Sequence, residues 1–300
     1  MSFSIVGHRT IWFWFSGILS VISVLALTFW GLRFGIDFTG GSLTELSFTR
    51  SVAVAEIASA LTDEGFGEVL VQPTQEMGYL IRSVSLTEDE HTRLLSVLRE
   101  RYGEVSELRF DSIGPVIGRE LRTNAAWAVS ITLVLIGLYI AVAFRKVSEP
   151  IASWKYGLIT ILTAFHDVVI PLGVFSILGH FLGWEVSSTF IAAALTILGY
   201  SINDTVVVFD RTRENLSKHL YDRFEDTVEA SIRQTALRSF NTSLTTLLAL
   251  AAIFFLGGES TRSFALALFV GIAIGTYSSI FVASNVFVTW EKFGLRKGRA

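Results

Sequence analysis

Asp204 is the residue in this chain best placed to do chemistry. It stands in the apolar stretch Ile197-Leu198-Gly199-Tyr200-Ser201-Ile202-Asn203-Asp204-Thr205-Val206-Val207-Val208-Phe209, ahead of the charged run Asp210-Arg211-Thr212-Arg213-Glu214. An ionisable group among lipid-compatible residues costs about 2.5–3.5 kcal/mol on insertion scales, so it normally faces a partner or a wet cavity. Burial favours the neutral acid, and a nearby guanidinium favours the carboxylate. A group balanced between those terms can take up and release a proton. Arg238 opens the next apolar segment. Asp204 lies about 7–8 Å inside the end of its own segment, at about 1.5 Å per residue. Antiparallel packing would bring the two to matched depth as an ion pair, with the permanently charged Arg tuning Asp204. The competing reading is a static pair that orients two helices, or an Arg that snorkels to the headgroups.

His166 and Asp167 form a second polar pair, mid-way along another apolar run. Histidine titrates near neutral pH and could relay protons; equally, neighbouring helices could simply satisfy both residues. Tyr200, Ser201 and Asn203 offer polar atoms beside Asp204 that could hold a water, or could act only as interhelical glue. Asp210, Arg211, Arg213 and Glu214 read as charges that stop a helix and fix topology. The stretch Gly35-Ile36-Asp37-Phe38-Thr39-Gly40-Gly41 reads as a tight structural junction able to act as a hinge, with Asp37 bonding the turn. No helix is expected to start there, which argues against a phosphate cradle.

Composition says what must position these residues. Of 300 residues, 51% are hydrophobic and 17% charged, and the mean hydropathy is +0.54. That places the chain among membrane proteins. A net charge of −3 implies no nucleic-acid partner. The absence of Cys excludes a disulfide framework, a thiolate nucleophile and a zinc–cysteine site. No GxxxxGK(S/T) pattern is present, so ATP has no P-loop here, and neither a cofactor nor a catalytic hydrolytic site is expected.

Six apolar runs are long enough to span: 11–32, 125–144, 154–178, 186–209, 237–256 and 263–288. The first reads as a retained helix and not a cleaved signal, with Trp12, Trp14 and Trp30 as interfacial anchors. Gly271 and Gly275 in the last run form a GxxxG pattern for close helix packing. The polar residues between the first two runs read as strands at 36–48, 68–72, 78–84 and 104–111, with helices at 52–64 and 87–101. Pro73-Thr74-Gln75-Glu76 makes the turn between the middle strands, and Thr87 with Glu90 makes a capping box. The order βαββαβ is that of a ferredoxin-like domain.

The fold class is therefore a polytopic α-helical membrane protein with six transmembrane helices and one extracytoplasmic α+β ferredoxin-like domain. The expected divisions are 1–32 (cytoplasmic N-terminus and first span), 33–122 (outer domain), 123–290 (remaining spans) and 291–300 (basic tail). Arg145, Lys146 and Lys155, then Arg211, Arg213, Lys218, Arg223 and Arg233, then Lys292, Arg296, Lys297 and Arg299 all fall on one side. The positive-inside rule puts both termini in the cytoplasm. Leu216, Leu220, Phe224, Val228, Ile232 and Ala236 repeat every four residues and predict an amphipathic helix over about 215–236, along the cytoplasmic membrane surface.

Two stretches, 35–41 and 199–211, resemble the SecF family of protein-export membrane subunits, and so do His166-Asp167 and 271–280. The resemblance covers essentially the whole chain and is similar in membrane fold to resistance–nodulation–division transporters. It implies that SecD is a partner, usually as a separate chain. The other implied partners are the SecYEG channel, YajC, the translocating preprotein and membrane lipid, in the bacterial inner membrane. It further implies use of the proton motive force in late, ATP-independent steps of export. Within that family Asp204 matches the essential intramembrane Asp, and Arg238 the Arg at the head of helix five. A further charged residue of the path belongs to SecD. Two other functions stay open on the residues alone: a secondary transporter of small solutes, and a structural scaffold for a membrane partner.

Overall fold

The computed structural model describes residues 4–74, 77–145 and 152–297; Gln75, Glu76, Lys146 and Arg299 lie outside these. In chain order the elements are α1 (Arg9–Phe29), α2 (Ile36–Thr39), β1 (Gly41–Phe48), α3 (Val54–Asp63), β2 (Leu70–Pro73), β3 (Gly78–Ser83), α4 (Glu88–Tyr102), β4 (Val105–Ile113), α5 (Pro115–Ala143), α6 (Ser153–Leu182), α7 (Ser188–Ser217), α8 (Phe224–Leu256) and α9 (Glu259–Ser278). A π-helical turn (Ser279–Ala283) and α10 (Ser284–Lys297) complete the chain. The chain divides into two units, Met1–Arg33 with Trp127–Ala300, and Phe34–Ala126.

The larger unit is built from six helices long and apolar enough to cross a membrane. The last of these, Thr261–Lys292, runs through α9, the π turn and α10. Three spans, in α6, α7 and α9–α10, are largely buried. The other three, in α1, α5 and α8, carry mostly exposed apolar side chains, among them Trp14, Leu138 and Leu248. So much exposed apolar surface is tolerable in lipid and not in water. Small residues set the spacing of the inner helices: a Cβ added to Gly271 would stand 2.2 Å from Ile197 Cδ1, and one added to Gly275 2.8 Å from Ser201 Cβ. At one end of the unit, Tyr156, Phe209 and Phe287 make edge and tilted contacts at 4.5–5.3 Å between ring centres.

Two expectations fail here. The segment 215–236 is not a separate amphipathic helix. Its first residues end α7, the chain turns at 218–223, and the remainder is the start of the continuous α8. No Pro or Gly interrupts 224–256, so nothing breaks the hydrogen-bond ladder between the polar half and the apolar half. Nor do the charges at 210–214 stop α7, which continues to Ser217. They stabilise its last turns through i,i+3 and i,i+4 pairs: Asp210–Arg213 at 2.7 Å and Glu214–Lys218 at 2.6 Å.

The smaller unit follows a β-α-β-β-α-β order with an antiparallel sheet in the order β2-β3-β1-β4. The alternating side chains of β1 send Leu46 and Phe48 into a core with Ile57, Leu61, Ile81, Leu94 and Leu98. Thr87 caps α4 reciprocally with Glu90, two bonds that fix where that helix begins. The strand expected from residue 36 begins only at Gly41, because Ile36–Thr39 forms one helical turn capped by Gly35. Gly40 (φ +77°) cannot be enlarged: a Cβ there would sit 2.7 Å from Pro115 Cα. The glycine pair thus lets two backbone segments touch.

Candidate functional site

Asp167 sits at the middle of α6, 0% exposed. His166 Nδ1 lies 2.8 Å from its Oδ1. Ser201 Oγ of α7 donates to its Oδ2 at 2.5 Å, and Ser278 Oγ, the last residue of α9, donates to the same oxygen at 2.7 Å. One carboxylate therefore ties three spans together. A second layer supports it. Ser279 Oγ donates to the Ser201 carbonyl at 3.1 Å and lies 2.8 Å from Thr205 Oγ1. Ser279 also opens the π turn, a geometry that often marks functional sites. On the other side, Pro171 has no N–H to give the Asp167 carbonyl, so α6 lacks one rung where the carboxylate stands.

Asp204 occupies the next inward position on α7, 4% exposed. Its Oδ2 is buried and has no hydrogen-bond partner among the described residues. Its polar neighbours are Ser239 and Ser243 of α8. Ser239 Oγ is likewise buried without a partner, while Ser243 Oγ shares a hydrogen bond with Thr276 Oγ1 at 2.5 Å. Removing such a carboxylate from water without pairing it is costly.

The expected contact between Asp204 and Arg238 is not formed: no ion pair within 4.0 Å joins them, and Arg238 is exposed. The reason is helical geometry. Neighbouring residues on a helix do not share a face, and Ser239 takes the inward direction on α8. Arg238 therefore acts on Asp204 only through its charge, from beyond contact distance. Ser201, expected beside Asp204, bonds Asp167 instead. Asn203 turns to the exposed side of α7, and Tyr200 Oη reaches Thr246 Oγ1 at 3.2 Å.

The inward stripe of α8 escapes a search for charge or apolar periodicity. Thr227, Ser231, Thr235, Ser239 and Ser243 are all buried. They recur every four residues, one position before the apolar ridge that includes Val228 and Ile232. Thr227, Ser231 and Thr235 donate to the carbonyl one turn back, which lets hydroxyls line a helix interface without an external partner. That four-residue Ser/Thr repeat is the signal that would have found Ser239.

Six apolar spans, a small α/β unit inserted after the first of them, and two carboxylates buried between spans define a polytopic membrane protein with ionisable groups in its bundle. Comparison with known proteins is specific. The family profile described as Protein export membrane protein SecD/SecF, C-terminal, matches residues 94–293, and the SecD/SecF GG Motif matches 26–52. Protein translocase subunit SecF of Thermobaculum terrenum is 40% identical over 299 residues, covering 96% of this chain and 93% of the relative. The Anaerolinea thermophila subunit of that name is 38% identical over 292 residues, covering 96% of this chain and 94% of the relative. The crystal structure of SecDF, a translocon-associated membrane protein from Thermus thermophilus, superposes with a TM-score of 0.83 at 37% identity. That match covers 97% of this chain but 39% of the SecDF chain. The chain belongs to the SecD/SecF family of protein-export membrane proteins.

Proposed function

We propose that this chain is an accessory subunit of the Sec translocase that works with SecD and uses proton entry at Asp204 to assist late, ATP-independent steps of translocation across the inner membrane. The observation that carries the reading is the state of Asp204: a buried carboxylate within a membrane span, one oxygen of which lacks a well-formed hydrogen bond among the described residues, with Ser239 and Ser243 beside it. Such a group is ready to change its protonation or its partner. Arg238 supplies the fixed charge from outside contact range and closes on Asp204 in another state of the cycle. His166, Asp167 and Ser201 hold the neighbouring helices and extend the polar path; Asn203 lies at its outer edge. Each proton driven inward releases about 2.3 kcal/mol per 100 mV.

The family relation supports the SecD partnership, and we read the part of the longer SecDF chain that this chain does not span as the share SecD provides. The smaller unit, with its β-α-β-β-α-β order and sheet order β2-β3-β1-β4, supports the reading of a ferredoxin-like domain. The basic loops support cytoplasmic termini, which place that domain on the far side, where a preprotein emerges from SecYEG. YajC completes the proposed set of partners. The Gly35–Gly41 junction at the base of the domain is the proposed hinge.

The test is export into inside-out vesicles energised with a proton gradient, comparing wild type with Asp204→Asn. The expected result is loss of the gradient-dependent increment late in translocation, with the ATP-driven onset unchanged. Equal late export by the two proteins would remove the proton role.

A further inference from the structure

A cavity of about 610 Å³ opens between α1 and the C-terminal α10, lined by Arg9, Phe13, Trp14, Gly17, Thr289 and Lys292 among others. Its chemistry is divided. The cations lie at one end: Arg9 is the first residue of α1, and Lys292 of α10 lies beyond the apolar run 263–288. A charged residue at the end of an apolar span is expected where hydrocarbon gives way to headgroups. Along α1 the lining becomes aromatic and then open. Trp14 is 69% exposed, and a Cβ on Gly17 would meet nothing within 4 Å.

The charge at the mouth is in excess. Glu225 pairs with Arg9 at 3.2 Å, and also with Lys292 and Arg223, so one carboxylate answers three cations. The Arg223 guanidinium also lies 4.0 Å from Asp226. Glu229 is committed elsewhere, accepting from the Val6 amide at 2.8 Å and pairing with Arg233 at 2.8 Å. Glu291 adds one negative charge near Lys292 and is offset by Lys155. Two basic side chains above an aromatic, lipid-facing slot match a ligand with an anionic head and an apolar tail.

We propose that this cavity is a site for one anionic phospholipid, its phosphate diester on the Arg9 and Lys292 N–H donors other than those that meet Glu225, and an acyl chain along Phe13, Trp14 and Gly17. The proposal is independent of the proton reading, since it uses neither Asp204 nor Asp167. Bound there, the lipid bridges the first and last spans at their headgroup ends.

The test uses the full chain in nanodiscs of phosphatidylcholine containing a minor fraction of acyl-brominated phosphatidylglycerol or, in parallel, the same fraction of brominated phosphatidylcholine. Quenching of Trp14 is taken as the difference between the chain and its Trp14→Phe variant. The expected result is preferential quenching by the anionic lipid, falling about five-fold for each cation removed in Arg9→Gln and Lys292→Gln. Gly17→Leu fills the acyl slot, leaves the Arg9–Glu225 pair intact, and is expected to abolish the preference, so the outcome does not hang on variants that disturb that pair. Equal quenching by both lipids in the unaltered chain overturns the proposal. So does an anionic preference unchanged in all three variants, or displacement of the brominated lipid by excess inorganic phosphate, which would mark a site for free phosphate.

Discussion

Asp167 and Asp204 are two buried carboxylates one helix apart, and the protein treats them differently. Asp167 has a histidine nitrogen on one oxygen and two serine hydroxyls on the other. Asp204 has an oxygen without a well-formed hydrogen bond among the described residues, and its polar neighbours are Ser239 and Ser243 of α8. Donors to a carboxylate are worth about 1.5–3 kcal/mol each, and an unmet buried charge costs at least as much. Asp167 is thereby fixed to three helices, whereas Asp204 gains from any change that neutralises it or brings it a partner. The first arrangement suits a brace and the second a switch.

The contrast breaks first, and hardest, at Asp167. Asp167→Ala leaves two serines and a histidine buried without their acceptor. It is expected to cost about 3 kcal/mol or more, at about 1–3 kcal/mol for each buried polar group left unsatisfied, read as a large fall in the thermal midpoint of the purified protein in detergent. Asp204→Asn is expected to leave that midpoint within a degree or two of wild type. It should remove the gradient-driven component of export, worth about 2.3 kcal/mol per proton per 100 mV. If both variants unfold alike, the two carboxylates are both braces and the comparison is void.

Gly275→Ala sharpens the brace. Its Cβ would press on Ser201 and push α9 from α7, stretching the bonds from Ser201 and Ser278 to Asp167. Overpacking of this kind costs about 1–3 kcal/mol, and thermal denaturation should report it; an unchanged midpoint would show that the network yields freely. The smallest effect belongs to the smaller unit and serves as a control. Thr87→Ala removes the α4 cap at a cost of about 0.5–2 kcal/mol, with gradient-driven export unaltered. Hydrogen bonds from the Thr87 amide and hydroxyl hold the Glu90 carboxyl below its ordinary value of 4.5. A lowered folded-state value stabilises above the unfolded one and is lost as pH falls through the folded one. The gap between Thr87→Ala and wild type should therefore narrow as the pH is taken below 4.5. A gap that holds constant or widens on acidification would show that the cap does not depend on the ionised carboxylate.

Much of this was legible in the chain. Apolar run length gave six spans, because a bilayer of fixed thickness demands it. Thr87 and Glu90 announced their helix start, because a capping box is a local contact between residues three apart. Asp204 was conspicuous as a charge in an apolar stretch. The failures share a cause. Matched depth does not by itself make Asp204 and Arg238 partners: one position along α8 turns a side chain by about 100°, enough to send Arg238 outward and Ser239 inward. The amphipathic ridge at 216–236 was real in period, but a helix does not end where polarity changes; it ends where its ladder is interrupted, and α8 meets no such break before Gly257.

Sequence alone determined the number of spans, the inserted α/β unit, and which residues carry unaffordable charge in lipid, since each depends on composition or on neighbours within a turn. Tertiary structure decided who meets whom. Ser201 and Ser278 reach Asp167 from helices 34 and 111 positions away in the chain, and Asp204 receives no equivalent donor on Oδ2. That assignment rests on how the helices are rotated against one another, which acts over ångströms in space and is not fixed by the period of any one helix.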